Sequence, residues 1–326
     1  MPDVYKRAAP LNSQVSEALT DFALGYENGA YFADVLCPRI ATDKYIQEYQ
    51  LRQRKDLITP VADLIDAEAE VSRVDYELTT QLATCLDRGL KSYVTTKEEV
   101  QSDDPMTPRR RKTADLMNRM MLNHEIRVAD LYNTVGSYAA GNVVTPAAAW
   151  SDAASGEPLV DLKAARRALP PAQTGLSKIV CLMTELAWDE LTLHPDFAGI
   201  VPRDQGGFGR MEQFMNWFRI DEFYVTEAEK NTANRGLSPT IAPVWDDDKV
   251  ILARVPTGET PPTPDAMMFG GTFTTRQPAA DGEGLVVTEW LEPGRGSGEG
   301  VYGIKVTRAE VPVILQNDMA VLINGV

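Results

Sequence analysis

Two histidines, three cysteines, a glycine run, an aspartate triplet and a basic tetrad are the features of this chain whose residue types could do chemistry. His124 and His194 stand far apart. No HxxxH or HxH pair sets two imidazoles side by side, so a histidine metal site is not signalled. A Cys-His or Ser-His nucleophile pair could still meet in space, but no GxSxG elbow presents a serine for it. Cys37, Cys85 and Cys181 are odd in number, widely spaced and without a CxxC pair. They signal neither a zinc ribbon nor a disulfide framework, and read as idle buried thiols of a reducing compartment. The run GRGSGEG at 294–300 has the glycines of a phosphate loop. Such a loop must feed a helix N-terminus, whereas here the strand-like VYGIKVT follows, so a hairpin loop is expected. Asp246, Asp247 and Asp248 adjoin without the spacers that a calcium loop puts between its carboxylates, and read as a solvated turn. Arg109, Arg110, Arg111 and Lys112 could touch phosphate, but in a chain of net charge −15 an acidic protein surface is the better partner.

No catalytic residue, metal ligand or cofactor emerges from this reading. A hydrolase assembled from dispersed Asp, Glu and His residues is kept as a minor alternative. The chain has 326 residues, 44% of them hydrophobic and 24% charged, enough for a real core and about two domains. Its acidity argues against sequence-specific nucleic-acid binding, which needs a basic face. No stretch reaches the roughly 18 apolar residues of a membrane span, and the first ten residues lack the apolar core of a signal peptide. A protein that works in the soluble phase, with no membrane partner, is expected.

The elements around these residues are of mixed type. Val15, Leu19, Phe22 and Leu24 predict an amphipathic helix after a weakly anchored arm. Residues 45–51 and 78–85 read as strands flanking a segment rich in Asp, Glu and Ala. This is the pattern of a long hairpin that cannot bury itself and needs a neighbour to cover it. The strongest local signal lies at 107–139. Thr107 and Pro108 make a helix start, and Leu116, Met120, His124, Val128, Leu131 and Val135 recur every three or four residues. About thirty residues give a helix of roughly 45 Å, long enough to be a domain's spine. Its first turn holds Arg109 to Lys112, where the helix dipole disfavours cations, so carboxylates must compensate: Asp103 and Asp104, or those of another copy. SKIVCLM at 177–183 predicts a buried strand, and the last sixty residues alternate strand and turn, with separate strands at 301–307 and 311–315. The mixture is α+β, without the regular alternation of a doubly wound sheet.

In this order the segments resemble the tailed-bacteriophage major capsid proteins that share the Hong Kong-97-like capsid fold. DYELTTQL at 75–82 is similar to the return strand of their extended hairpin. LMTELAWDELTLHPD at 182–196 resembles the strand-to-helix step after the spine. NTAN at 231–234 and WLEPGRG at 290–296 also look like one subgroup. The resemblance covers nearly the whole chain and rests on the order of segments that are individually weak signatures. It implies an N-terminal arm at 1–35 and a peripheral domain at 36–159 carrying the hairpin (45–85) and the spine helix (107–139). An axial domain at 160–265 follows, and 266–326 returns to the peripheral domain. It implies a major capsid protein that self-assembles into hexamers and pentamers of an icosahedral shell. That shell would enclose double-stranded DNA without reading its sequence, in a virion assembled in the host cytoplasm. A scaffolding protein, a portal and a decoration protein are the implied partners. Some members carry an N-terminal scaffold region that is cleaved off. Here the arm begins almost at Met1, so a separate scaffolding protein, or an already mature chain, is expected. An encapsulin-like nanocompartment, which shares the fold, is the alternative. The expected contacts between copies use Arg109, Arg110, Arg111 and Lys112 against Asp63, Asp66, Glu68 or Glu70 of a neighbouring hairpin, with Tyr45 and Tyr49 on the hairpin itself.

Overall fold

The computed structural model describes residues 14–26, 28–52, 59–60, 78–104, 106–171, 177–200, 207–234, 236–257, 268–275, 284–293 and 300–326. The chain opens with β1 (Gln14–Val15), α1 (Glu17–Leu24), α2 (Ala33–Leu36) and β2 (Arg39–Thr42). The ribbon strands β3 (Ile46–Arg52) and β4 (Leu78–Thr84) follow, then β5 (Leu86–Thr95), α3 (Thr96–Val100) and the long α4 (Met106–Asn133). Next come β6 (Val143–Val144), α5 (Pro158–Ala168), β7 (Ser177–Thr184), α6 (Glu185–Leu193), α7 (Pro195–Ile200) and α8 (Gly207–Phe218). The described elements after α8 are strands: β8 (Glu222–Thr226), β9 (Glu229–Asn231), β10 (Ile241–Pro243) and β11 (Lys249–Pro256). The last of them are β12 (Gly270–Thr275), β13 (Leu285–Glu292), β14 (Val301–Ile314) and β15 (Ala320–Asn324).

Two sheets organise the molecule. One has five strands in the order β6-β15-β11-β7-β8, the other runs β1-β13-β14-β12-β2 with β5 also paired to β14. The five-stranded sheet is covered on both faces, which is why its central strands read as unbroken apolar runs. Alternate residues divide between the faces. Ile179, Cys181 and Met183 of β7, with Val250, Leu252, Val321 and Ile323, pack under α5, α6 and α8 through Leu162, Ala165, Leu191, Phe214 and Phe218. Val180 and Leu182, with Ile251, Ala253 and Leu322, point the other way, to Val128, Ala129 and Tyr132 of α4. Each large side chain so buried contributes about 1.5–3 kcal/mol.

α4 joins the two sheets. Its C-terminal half packs on the five-stranded sheet, while Leu116 and Met117 pack with Leu19 and Ala23 of α1 on Val94, Leu285, Val287, Ile304 and Val306 of the other sheet. A helix with this double duty must be long, and the predicted spine is present. Its ends differ from 107–139. The helix starts at Met106, whose amide donates to the Asp104 carboxylate at 3.0 Å, so Asp104 and not Thr107 caps it. It stops at Asn133 because Thr134 takes an extended backbone, and a short 3₁₀ turn at Val135–Ser137 follows.

One further expectation needs correction. The strands predicted at 301–307 and 311–315 are one strand, β14, since Arg308 and Glu310 between them are buried and do not turn, Glu310 pairing with Arg39 and Arg127. Strand pairing also links distant parts of the chain. β15 pairs with β11, and β6 with β15, so residues 143–144 and 320–324 lie in the sheet of β7 and β8. The ribbon is in the expected place: Ile46 faces Thr84 and Arg52 faces Leu78, antiparallel. Its tip, including Asp63, Asp66, Glu68 and Glu70, lies outside the described residues, as does most of the GRGSGEG run. That run joins antiparallel β13 and β14, the hairpin connection expected of it.

Candidate functional site

The ribbon is the first candidate surface. Tyr49 is buried: its ring meets Phe273 of β12 at 5.2 Å and its hydroxyl donates to Gln81 Oε1 at 2.8 Å. This residue, expected at a contact between copies, anchors the ribbon to its own subunit. The pleat then sends Ile46 and Leu82 to the opposite face, where they are 58% and 69% exposed, next to a half-exposed Tyr45. Leu86 continues this uncovered apolar face.

The second is the start of α4. α3 is held by a capping box in which Thr95 and Glu98 satisfy each other's amides. This sets Glu99 against Arg109, Nε to Oε1 at 2.7 Å, while Arg109 Nη1 lies 3.3 Å from Glu289 of β13. The guanidinium also lies 3.9 Å above the Tyr302 ring. Although burial pulls its pKa down, Glu99 and Glu289 outweigh that and raise it. Arg109 is thus engaged with Glu99, Glu289 and Tyr302 of its own subunit. Arg110 and Arg111 are exposed, Lys112 is half-buried, and none of the three forms an ion pair among the described residues.

Sequence reasoning missed a third feature, a buried charge cluster where α2, β2, α4 and β14 meet. His124 Nε2 lies 3.3 Å from Asp34 Oδ1, and its Nδ1 lies 3.4 Å from Glu310 Oε1. The angles fall short of hydrogen bonds, so these are charge pairs. Arg39 Nε meets Asp34 at 2.9 Å and its Nη1 meets Glu310 at 3.3 Å, while Arg127 donates to Glu310. Burial pushes Glu310 up, but the cations win and hold its carboxyl at about 2; the same contest leaves Asp34 low. For His124 burial pulls down, and the two carboxylates together raise its pKa. Next to the cluster, Glu125 is fully buried and accepts from Phe32 N, Ala33 N and Trp245 Nε1, tying α2 and Trp245 to α4. Burial raises its pKa against those hydrogen bonds. The available signal was charge inside apolar strands: TRAEV in β14 and the His124-Arg127 spacing on one helix face.

The other chemical candidates separate. His194 is buried, its Nδ1 accepting from Asp196 N at 3.4 Å. The three thiols are free and buried. Asp246 pairs with Lys249, and the Asp248 carbonyl accepts from Gly325 and Val326. Among the described residues no group of His, Cys, Asp and Glu could hold a metal ion, and no helix is long and apolar enough to cross a membrane.

No family model matches the chain. Over 240 residues it is 25% identical to the major capsid protein of Pseudomonas phage JBD67, spanning 71% of this chain and 74% of the relative. Its structure superposes on a phage-related protein of Bordetella bronchiseptica RB50 with a TM-score of 0.72 at 17% identity, covering 95% of this chain and 96% of the other. The capsid structure of cyanophage P-SCSP1u gives a TM-score of 0.54 at 10% identity, over 92% and 89%. The spine helix, ribbon and two sheets are the Hong Kong-97-like capsid fold. With the curated relative, that fold supports a capsid shell protein of the tailed-phage kind, a structural role.

Proposed function

We propose that copies of this chain form hexamers and pentamers that close an icosahedral shell around double-stranded DNA, built in the host cytoplasm with a scaffolding protein, a portal and a decoration protein. The observation that carries this reading is the ribbon. Its outward apolar face, Ile46 and Leu82, is exposed among the described residues, in a chain whose fold is that of shell subunits. Contiguous exposed apolar residues of this size mark contact sites. Arg110, Arg111 and Lys112, which form no ion pair among the described residues, are the basic partners for Asp63, Asp66, Glu68 or Glu70 of a neighbour. A structural role accords with His124 and His194, which both face carboxylates.

Electron microscopy of the purified chain, alone and with co-expressed scaffold, tests the reading. Closed particles holding nuclease-protected DNA when produced with the rest of the phage support it. Particles filled with a cargo protein would support the nanocompartment, and monomers under every condition would end both. R110E/R111E, which spares Arg109, should fold normally and block assembly; normal shells would sink the basic pairing.

A further inference from the structure

Two exposed surfaces of opposite charge flank the five-stranded sheet, one on its covering helices and one at its strand ends, each with exposed large apolar side chains at its centre. The first is on α5 and α8. Val160, Lys163, Ala164 and Arg167 form the solvent face of α5, at the three- and four-residue steps of one helical stripe. Trp217 of α8 is 53% exposed, with Lys163 Nζ 5.6 Å from its ring centroid, and flanks a groove of about 400 Å³ floored by Leu159 and Phe214. Arg219 ends α8 in a left-handed backbone, φ 54°, while Ile220 N reaches back to Met215 O at 2.9 Å. Glycine is the usual residue there, because a Cβ is penalised. An exposed arginine held in that conformation keeps a positive charge beside Trp217 at a cost in stability, and strain of this kind collects at working surfaces. Lys163, Arg167 and Arg219 form no ion pair among the described residues.

The second surface is a groove of about 260 Å³ at the C-terminal ends of β7 and β8, roofed in part by β10. Glu185, Glu227, Glu229 and Asp247 line it, and Leu186 and Ile241, 52% and 64% exposed, stand at its mouth. No Lys or Arg lines it.

We infer that these are the two halves of one head-to-tail contact: the Trp217-Lys163-Arg167-Arg219 face of one copy seats in the Glu185-Glu227-Glu229 groove of the next. The occupant is a second copy because the complementary surface is on this same chain. Charge of each sign surrounds apolar side chains, the layout of an interface with a dry centre and polar rim, and Trp and Arg are the residue types that most often dominate such contacts. Placement agrees. α5 packs over β15 and β6 while α8 packs on β8, and Arg219 sits just before the first residue of β8, whereas the acidic groove opens at the C-terminal ends of β7 and β8. Two different patches at separate places make a head-to-tail contact, which forms a ring where its rotation closes, whereas a self-complementary patch would stop at a dimer.

The inference rests on the shell reading, and the test separates the two. K163E/R167E/R219E, E185K/E227K/E229K and the six-fold charge swap are each purified and assembled beside the wild type. Far-ultraviolet circular dichroism checks folding. Each three-fold reversal should raise the concentration needed for half-assembly about tenfold or more, since like charges then meet, and added salt should narrow that gap. The six-fold swap should return it to near the wild-type value. R219G should melt at a higher temperature than the wild type yet assemble less well. Wild-type shells with unaffected three-fold variants, or a swap that fails to rescue while remaining folded, would overturn the contact and leave the shell reading intact. A wild type that never assembles would overturn the shell reading itself.

Discussion

Replacing Glu310 by Gln removes one negative charge from a buried site and changes the side-chain shape very little. The wild-type carboxylate answers Arg39, Arg127 and His124 at once, with its side chain only 3% exposed. A carboxyl held at about 2 instead of an ordinary 4.5 corresponds to about 3 kcal/mol of preference for the charged form, at 1.36 kcal/mol per pKa step. Removing one member of a buried charge pair independently costs about 3–5 kcal/mol. The glutamine can offer one oxygen, and its amide nitrogen must face a cation. A loss of about 3 kcal/mol in the unassembled subunit is therefore expected, measured by urea unfolding with tryptophan fluorescence. The variant should also change the pH profile. In the wild type His124 has a raised pKa, so its stabilisation is complete below about 6.5, the unfolded value, and is lost as pH climbs through the folded one. The groups that face it are Asp34, Glu310 and Arg39, with Arg127 on the same carboxylate and Arg308 near enough to act on Glu310. Without the Glu310 charge, only Asp34 opposes burial and the His124 pKa falls. The fall in stability between pH 6 and 9 should then shrink. A loss below about 1 kcal/mol together with an unchanged pH slope would refute the account of the cluster.

Three shorter predictions follow from other sites. R109M keeps an apolar stem over Tyr302 but leaves the nearly buried Glu99 without its cation, so about 1–3 kcal/mol should be lost, read by thermal unfolding. G303A places a Cβ 2.3 Å from the Trp290 ring, and overpacking of about 1–3 kcal/mol should appear with a changed near-ultraviolet dichroism of that indole. R219G should gain about 1 kcal/mol in chemical unfolding by relieving the left-handed backbone at that position.

Local physics made some elements visible before any coordinates. The spine of α4 shows itself because helical periodicity is read over nearly thirty residues, and the hairpin because alternation at 45–51 and 78–85 brackets a segment too polar to bury. β7 shows itself in SKIVCLM because a strand buried on both faces reads as an unbroken apolar run, here Ile179 to Met183. What stayed hidden depends on partners distant in sequence. Arg109 looked free because Glu289, which binds it, lies 180 residues away in β13. His124 looked like one more step of an apolar stripe, and only the meeting of Asp34 and Glu310 beside it reveals a charge site. Arg308 and Glu310 read as a turn because charge in a strand sequence normally means solvent, and a buried network reverses that reading.

The same distinction separates what this subunit completes from what it leaves open. Charged groups in its interior are paired with groups from other elements: Glu125 with the start of α2 and Trp245, Glu310 with three cations, Arg254 with the Pro170 carbonyl and Ser177. Such pairing ties α2, Trp245 and β14 to α4. Among the described residues, surfaces without such closure include the outward ribbon face, the Arg110-Arg111 step and the two charged surfaces that flank the five-stranded sheet. Pieces with several unsatisfied, mutually complementary faces gain by associating, and gain most where little ordering entropy remains to be lost on contact.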